Sequence, residues 1–553
     1  MRTVLALALS NAALFAQPQA PTFRAGTKLV EVTVAVLDKK GNPVTGLSQS
    51  DFTMEDGGKA RPIAFFRFDG LPARPEALSP APGLFTNRID NGGTAPPSVT
   101  ALVLDTLNTP QELNALIRAQ TMRYLKTLGP ASRVAVFLMD WDLRVLYDFT
   151  GNGDVLRARI EKLTLGAPSE TTVDPVASTV EAADLLKLFE GTDSYPIIEK
   201  AMRAKLDTDL MANSVIQRNR MDISLSAMEA LGSRLAGIPG RKSIVWMSSG
   251  FSMASVTGIM GMGPNGDIQN FEEKVRRTAQ RLAQDGVILY IVDPGGVKLS
   301  ALSSAESSSQ PSIARGGGAS GRATVLDRSS DTQDMNADTR GSAALMTGVT
   351  GGRYLTGTND LTVGFRQALA DIRGSYTLGF YAHEAADNKW HKLKVGVKRP
   401  GVNVRHRQGY LAEATSPQPI EWDEAAWNAA FSNPVGSSII PLSAQCERTA
   451  AGETSVALNI DSDSISFRPD GENLRADLQV AYWDGGGRSS VVTFKPSLPA
   501  AQAEKTSSQE VVYTRQLKPS QGAAILRVVV HDMRTGMYGT LDIPLNKIPA
   551  GIK

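Results

Sequence analysis

Two segments constrain the fold of this chain more than any others. Thr100-Ala101-Leu102-Val103-Leu104-Asp105 and Val287-Ile288-Leu289-Tyr290-Ile291-Val292-Asp293 are continuous apolar runs, each closed by an acid. A strand with one wet face alternates apolar and polar residues, so an unbroken run predicts a strand covered on both faces, as in a parallel sheet. Arg133 to Met139 and Ser243 to Met247 are further apolar strands, and Leu143 to Phe149 is one more, antiparallel by its short connection. Leu113, Ile117, Tyr124 and Leu128 fall on one helical face before Gly129-Pro130, and Asp154–Leu163, Ile223–Leu235 and Phe271–Leu282 also have helical spacing. Asp360 is placed to cap another helix, with Leu361, Phe365, Leu369 and Ile372 on one face. This alternation predicts an α/β domain over 98–374 with a doubly wound, mostly parallel sheet, carrying insertions at 165–220 and 297–342.

The flanks read differently. Val30, Val32 and Val34 alternate with Glu31 and Thr33, which opens a small N-terminal β unit over 27–70. Residues 71–97 are rich in Pro, Gly and Ala and read as a linker. After Gly374 the period becomes two again, giving a β-strand extension over 375–415. Strands and turns then continue through 430–553, the pattern of a β-sandwich of immunoglobulin-like type.

At the N-terminus, Met1-Arg2 precedes an apolar run from Thr3 to Phe15 and the small residues Ala16 and Ala20. That order is expected of a secretory signal peptide over 1–20, so export to the periplasm or the cell exterior is expected. No later run of about 18 apolar residues exists to span a bilayer. The net charge of +2 gives no reason to expect nucleic acid as a partner.

The segments VEVTVAVLDKKGNPVTGLSQSDFTMEDGGKARPIAFF, VLDTLNT, GRKSIVWMSSGF, VILYIVDPGG, TGGRYL, IRGSYTLGFYA and KWHKLKVGVKRPGVNVRHRQGYLA follow one another in order over most of 27–412. In that order the chain resembles the VWFA-related family described from Acidobacteria, and its middle block resembles the von Willebrand factor type A domain. The resemblance implies a metal-ion-dependent adhesion site at the carboxyl edge of the sheet. There Asp-x-Ser-x-Ser, a Thr and a later Asp hold Mg²⁺ through oxygen. Carried over, Asp105 matches the first Asp and Thr109 the last hydroxyl. Leu107 stands where the middle Ser belongs and offers no ligand, and Ser249 replaces the second carboxylate. Ser224 and Asp222 are nearby candidates for the Thr position, with Asn108, Asp140 and Asp142 as further oxygen donors. The implied metal set is therefore Asp105, Thr109 and Ser249, degenerate against the family pattern. The alternative for Asp105 is a hydrogen bond to the neighbouring loop or the cap of the next helix.

Catalytic patterns are missing. The four histidines, His383, His391, His406 and His531, all follow the α/β block, and Ser248-Ser249-Gly250 lacks a nucleophile elbow. No glycine-rich stretch carries the Gly-Lys-Ser/Thr end of a phosphate loop. The lone Cys446 reads as a small apolar residue of a strand-rich region. Lys392, Lys394, Lys398, Arg399, Arg405 and Arg407 form a basic strip, either the solvated face of a sheet or a contact for an anionic polymer. The expected function is non-enzymatic: adhesion to a protein partner of the cell envelope through the loops after Asp105, Met247 and Asp293. The alternative is an envelope hydrolase or sensor using acids at the same edge.

Overall fold

The computed structural model describes residues 29–69, 81–88, 98–126, 132–163, 165, 185–238, 240–248, 267–293, 341–356, 374–382, 387–412, 418–449, 453–487, 489–499 and 510–549. The signal segment, Ser249, His383, residues 297–340 of the insertion expected over 297–342 and the helix expected after Asp360 lie outside them, whereas Gly341 and Ser342 begin a helix.

The centre is a mixed α/β body. Ser98–Asp105 pairs in parallel with Ser132–Met139 on one side and Arg241–Met247 on the other. Val287–Val292 and then Arg353–Leu355 extend the sheet in parallel beyond Arg241–Met247. Leu143–Thr150 closes the opposite edge, antiparallel as its short connection predicts. The apolar runs are continuous because both faces are covered. Val99, Ala101, Val103, Ile244 and Trp246 pack under the helices Tyr195–Ala236, Asp267–Gln284 and 341–350. Leu102, Leu104, Val245 and Met247 point the other way, under Asn114–Leu125 and Gly153–Glu161. The 165–220 insertion is more regular than its composition suggests. From Tyr195 it belongs to a single helix that runs on to Ala236.

The N-terminal unit and the 375–415 extension are one domain. Leu29–Leu37 pairs antiparallel with Ser375–Tyr381, which also pairs with Phe65–Phe68. Trp390–Val397 pairs with Phe52–Asp56. The two small sheets enclose Val32, Val34, Phe52, Met54, Tyr376, Leu378, Phe380 and Val395. Each half carries a half-buried strand pattern that needs a second sheet, and each supplies it to the other.

Two four-stranded antiparallel sheets sandwich the C-terminal core, in which Cys446 is buried among Leu442, Val456, Leu478 and Val528. The expected linker is not all linker: Leu84–Thr86 adds an edge strand to Leu442–Arg448. The next residue, Asn87, reaches the carbonyls of Ser437, Ile440 and Thr540 with its amide nitrogen and accepts from the Leu442 N–H. Glu424–Ser432, starting before the expected boundary at 430, lays Trp427, Ala430 and Phe431 on the outer face of the second sheet.

Candidate functional site

Every parallel strand of the central sheet ends at the same edge, so Asp105, Ser248 and Asp293 share a rim. Asp105 is fully buried there. Its Oδ1 accepts the Asn108 backbone N–H at 2.9 Å, and its Oδ2 accepts the Asn108 amide and the Trp246 indole N–H, each at 2.8 Å. Asn108 also donates to Ser224 Oγ at 2.9 Å, whose hydroxyl donates to the Arg220 carbonyl. Burial holds the Asp105 carboxyl above its ordinary range, opposed by the hydrogen bonds from Asn108 and Trp246.

A Mg²⁺ ion takes oxygen ligands in an octahedral shell. Three donors aimed at Asp105 are N–H groups, whose protons occupy directions that a cation would need. Leu107 is buried and apolar, as the sequence predicts, and Thr109 is buried. Asp222 is engaged by Lys274 at 2.6 Å, Asp140 pairs with Arg144, and Asp293 faces the hydroxyls of Tyr354 and Thr356 at 3.4 Å. Among the described residues no three His, Cys, Asp or Glu side chains gather to share an ion. The described residues around Asp105 therefore do not fit the implied Mg²⁺ site, whose Ser249 lies outside them. Asp105 instead ties down the loop after its strand, the alternative that its position already allowed. The residue missed in the sequence is Trp246. Its signal is chemical: a buried indole must find an acceptor, and Asp105 ends the adjoining strand.

The opposite edge of the sheet is where the other domains attach. Each helix that precedes a parallel strand ends there, exposing its last carbonyls. Ser438 of the C-terminal domain donates its N–H to the Ser233 carbonyl and its hydroxyl to the Arg234 carbonyl. A Cβ at Gly237 would overlap the Ser438 carbonyl, so only glycine permits this approach. From the N-terminal domain, Arg407 donates to the carbonyls of Ala283 at 2.7 Å and Glu31 at 2.8 Å, and the Gln408 N–H meets the Val349 carbonyl. Lys242 donates to Ala236 O at 3.0 Å; burial lowers its ammonium to about 8, against the opposing pull of Asp285 and Glu31. Cations at helix C-termini also complement the helix dipole.

The basic strip is thus divided. Arg407 is an interdomain anchor, while Lys394 is an exposed partner of Glu55. His391 lies between Asp56 and Asp387, His406 accepts from the Val395 N–H, and His531 is buried against Trp422. A groove of about 710 Å³ opens where the three domains meet, lined by Glu229, Arg277, Arg281, Asn433 and Tyr538. Its charges are matched from within: Arg277 pairs with Glu273, Arg281 lies near Asp285, and Glu229 accepts from Thr278.

No family model and no curated protein matches the chain. Among solved structures, an aerotolerance-related membrane protein from Bacteroides fragilis aligns at 10% identity over 50% of this chain and 98% of its own, with a TM-score of 0.22. BatB from Bacteroides thetaiotaomicron aligns at 11% identity over 50% and 95%, with a TM-score of 0.19. Proximal thread matrix protein 1 of the mussel byssus aligns at 9% identity over 52% and 48%, with a TM-score of 0.23, and has also been solved with zinc in its metal-ion-dependent adhesion motif. Likeness this slight adds nothing to what the strand order of this chain establishes by itself.

Proposed function

We propose that this chain is an exported, non-enzymatic binding protein whose von Willebrand factor type A-like domain holds a protein partner at the carboxyl edge of its sheet without a metal ion. The strand order, in which the first strand lies between the second and the fourth, is that of doubly wound sheets, which bind ligands beyond the carboxyl ends of their strands. The observation that carries the reading is the division between the edges. The contacts from both flanking domains described above meet the opposite edge, and none of them involves the described rim residues Asp105, Asn108, Ser248 or Asp293. The carboxylate at that rim is filled by Asn108 and Trp246, which disfavours metal-bridged adhesion and acid-base chemistry alike. No helix among the described residues is long and apolar enough to cross a membrane.

Affinity capture from an envelope fraction tests this reading. The intact chain is expected to retain the same partner with and without a chelator, and a chain with residues 251–264 replaced by a short Gly-Ser linker is expected to lose it. Capture abolished by chelation, or indifferent to the loop exchange, would overturn it.

A further inference from the structure

The strand Ile525–Asp532 turns Leu526, Val528 and Val530 into the main core of the C-terminal sandwich and Arg527, Val529 and His531 to the outer face of its sheet. On that face the segment 418–433 lies as a strap. It is held by Trp422 and by Trp427, Ala430 and Phe431 of the helix Glu424–Ser432. Arg527 fastens one end, donating to the carbonyls of Phe431 at 2.7 Å and Asn433 at 2.6 Å. His531 fastens the other. Its ring stacks on Trp422, with centroids 4.1 Å apart, and meets Trp427 edge-on at 6.2 Å. The side chain is fully buried. Nδ1 lies 3.1 Å from the Gln479 side-chain carbonyl oxygen, so Nδ1 carries the proton of the neutral ring. Nε2 keeps a lone pair, and this buried atom has no hydrogen-bond partner.

A second proton, on Nε2, would create a cation with no acceptor for its N–H. No carboxylate is free to answer it. Asp532, next on the strand, accepts the N–H groups of Ser466 and Arg534 and the Thr535 hydroxyl. Asp423 caps the strap helix at the Ala426 N–H. Asp542 holds Arg527, the nearest cation on the same face. Tyr538, paired with His531 across the sheet, accepts from Asn433. The attraction of a cation to the Trp422 face offsets only part of the cost of burying it without a partner. Burial accordingly lowers the ring from 6.5 to about 4.

We propose that His531 is an acid-sensitive latch, and that a proton taken up at Nε2 loosens the strap 418–433 from the C-terminal sheet. The docked strap excludes a proton that the lifted strap accepts. Docking is therefore at full strength above the ordinary histidine value of 6.5 and weakens as pH falls from there towards 4. The main core need not open, because Ala481 and Val529 beneath the strap face away from Leu478, Val480, Val528 and Val530. The consequence reaches the groove between the three domains, since Ala429, Ser432 and Asn433 of the strap form part of its wall. The latch shares no residue with the carboxyl rim, so it stands independently of the partner-binding reading.

Hydrogen–deuterium exchange of the intact chain tests it, with each protection factor referred to the unfolded chain at the same pH. Between pH 7 and pH 4 the protection of 418–433 is expected to fall about a hundredfold, while that of the core strands Leu442–Arg448 and Thr454–Asp461 holds. His531→Phe keeps an aromatic ring and His531→Gln a polar group, and neither titrates. Each should hold the strap's protection within about threefold over the same range. In the native chain the His531 ring, followed by NMR, should take up its proton as the strap loses protection. Strap protection indifferent to pH would overturn the proposal. So would a fall as steep in both variants, a fall shared equally by the core strands, or a ring that protonates while the strap stays closed.

Discussion

The two edges of the central sheet treat their polar groups in opposite ways. At the carboxyl edge, Asp105 is satisfied from within its own domain, by Asn108 two residues beyond Thr106 and by Trp246 on the next strand. At the other edge, the helix-terminal carbonyls of Ser233, Arg234 and Ala283 are satisfied from outside, by Ser438 and Arg407. A sheet edge whose polar groups close on themselves needs no neighbour. An edge that borrows its donors from other domains fixes those domains in place. This contrast, more than any single residue, assigns joining to one edge, and the binding proposed for the other edge rests on it.

The largest expected effect breaks the joined edge. Gly237→Ala places a methyl group against the Ser438 carbonyl, backbone against backbone. It should cost about 3 kcal/mol or more and separate the unfolding of the C-terminal domain from the rest, read by denaturant titration with domain-specific probes. At the self-contained edge, Trp246→Phe keeps most of the core volume but removes one donor from a buried carboxylate. It should cost about 2 kcal/mol in the α/β transition alone.

A pH series separates the edges by sign. Lys242 loses its proton near 8 in the native chain and near 10.5 when unfolded. The unfolded state therefore holds more protons between those values, and stability rises with pH across them. Because Lys242 is only half-buried, solvent screens part of the effect. Lys242→Met should remove about 1–2 kcal/mol of that rise. Asp105 behaves in the opposite way. Its native carboxyl lies above the ordinary 3.8, so the native state holds more protons and stability falls as pH climbs from that value through the raised one. Asp105→Asn should flatten that fall in urea titrations. The smallest effect belongs to the solvated part of the basic strip. Lys394 and Glu55 are an exposed pair at 3.7 Å, and Lys394→Ala should change stability by less than about 0.5 kcal/mol.

Much of this architecture was legible because burial on both faces leaves continuous apolar strands in the sequence, as at Leu102–Leu104 and Val287–Val292. Asp105 was legible as a rim residue by its place at the end of such a strand. Its role was not, because Trp246 lies 141 residues away and reaches it only after the sheet has formed. The same separation hid the pairing of Leu29–Leu37 with Ser375–Tyr381. The edge strand Leu84–Thr86 escaped notice because three residues are enough to add to an existing sheet and are too few to show a period.

The central claim is that the Asp105 oxygens are already spent on Asn108 and Trp246. Calorimetric titration of the intact chain with millimolar Mg²⁺ tests it most directly. The account predicts no saturable heat and an unchanged Tm; saturable heat that disappears in Asp105→Ala would contradict it.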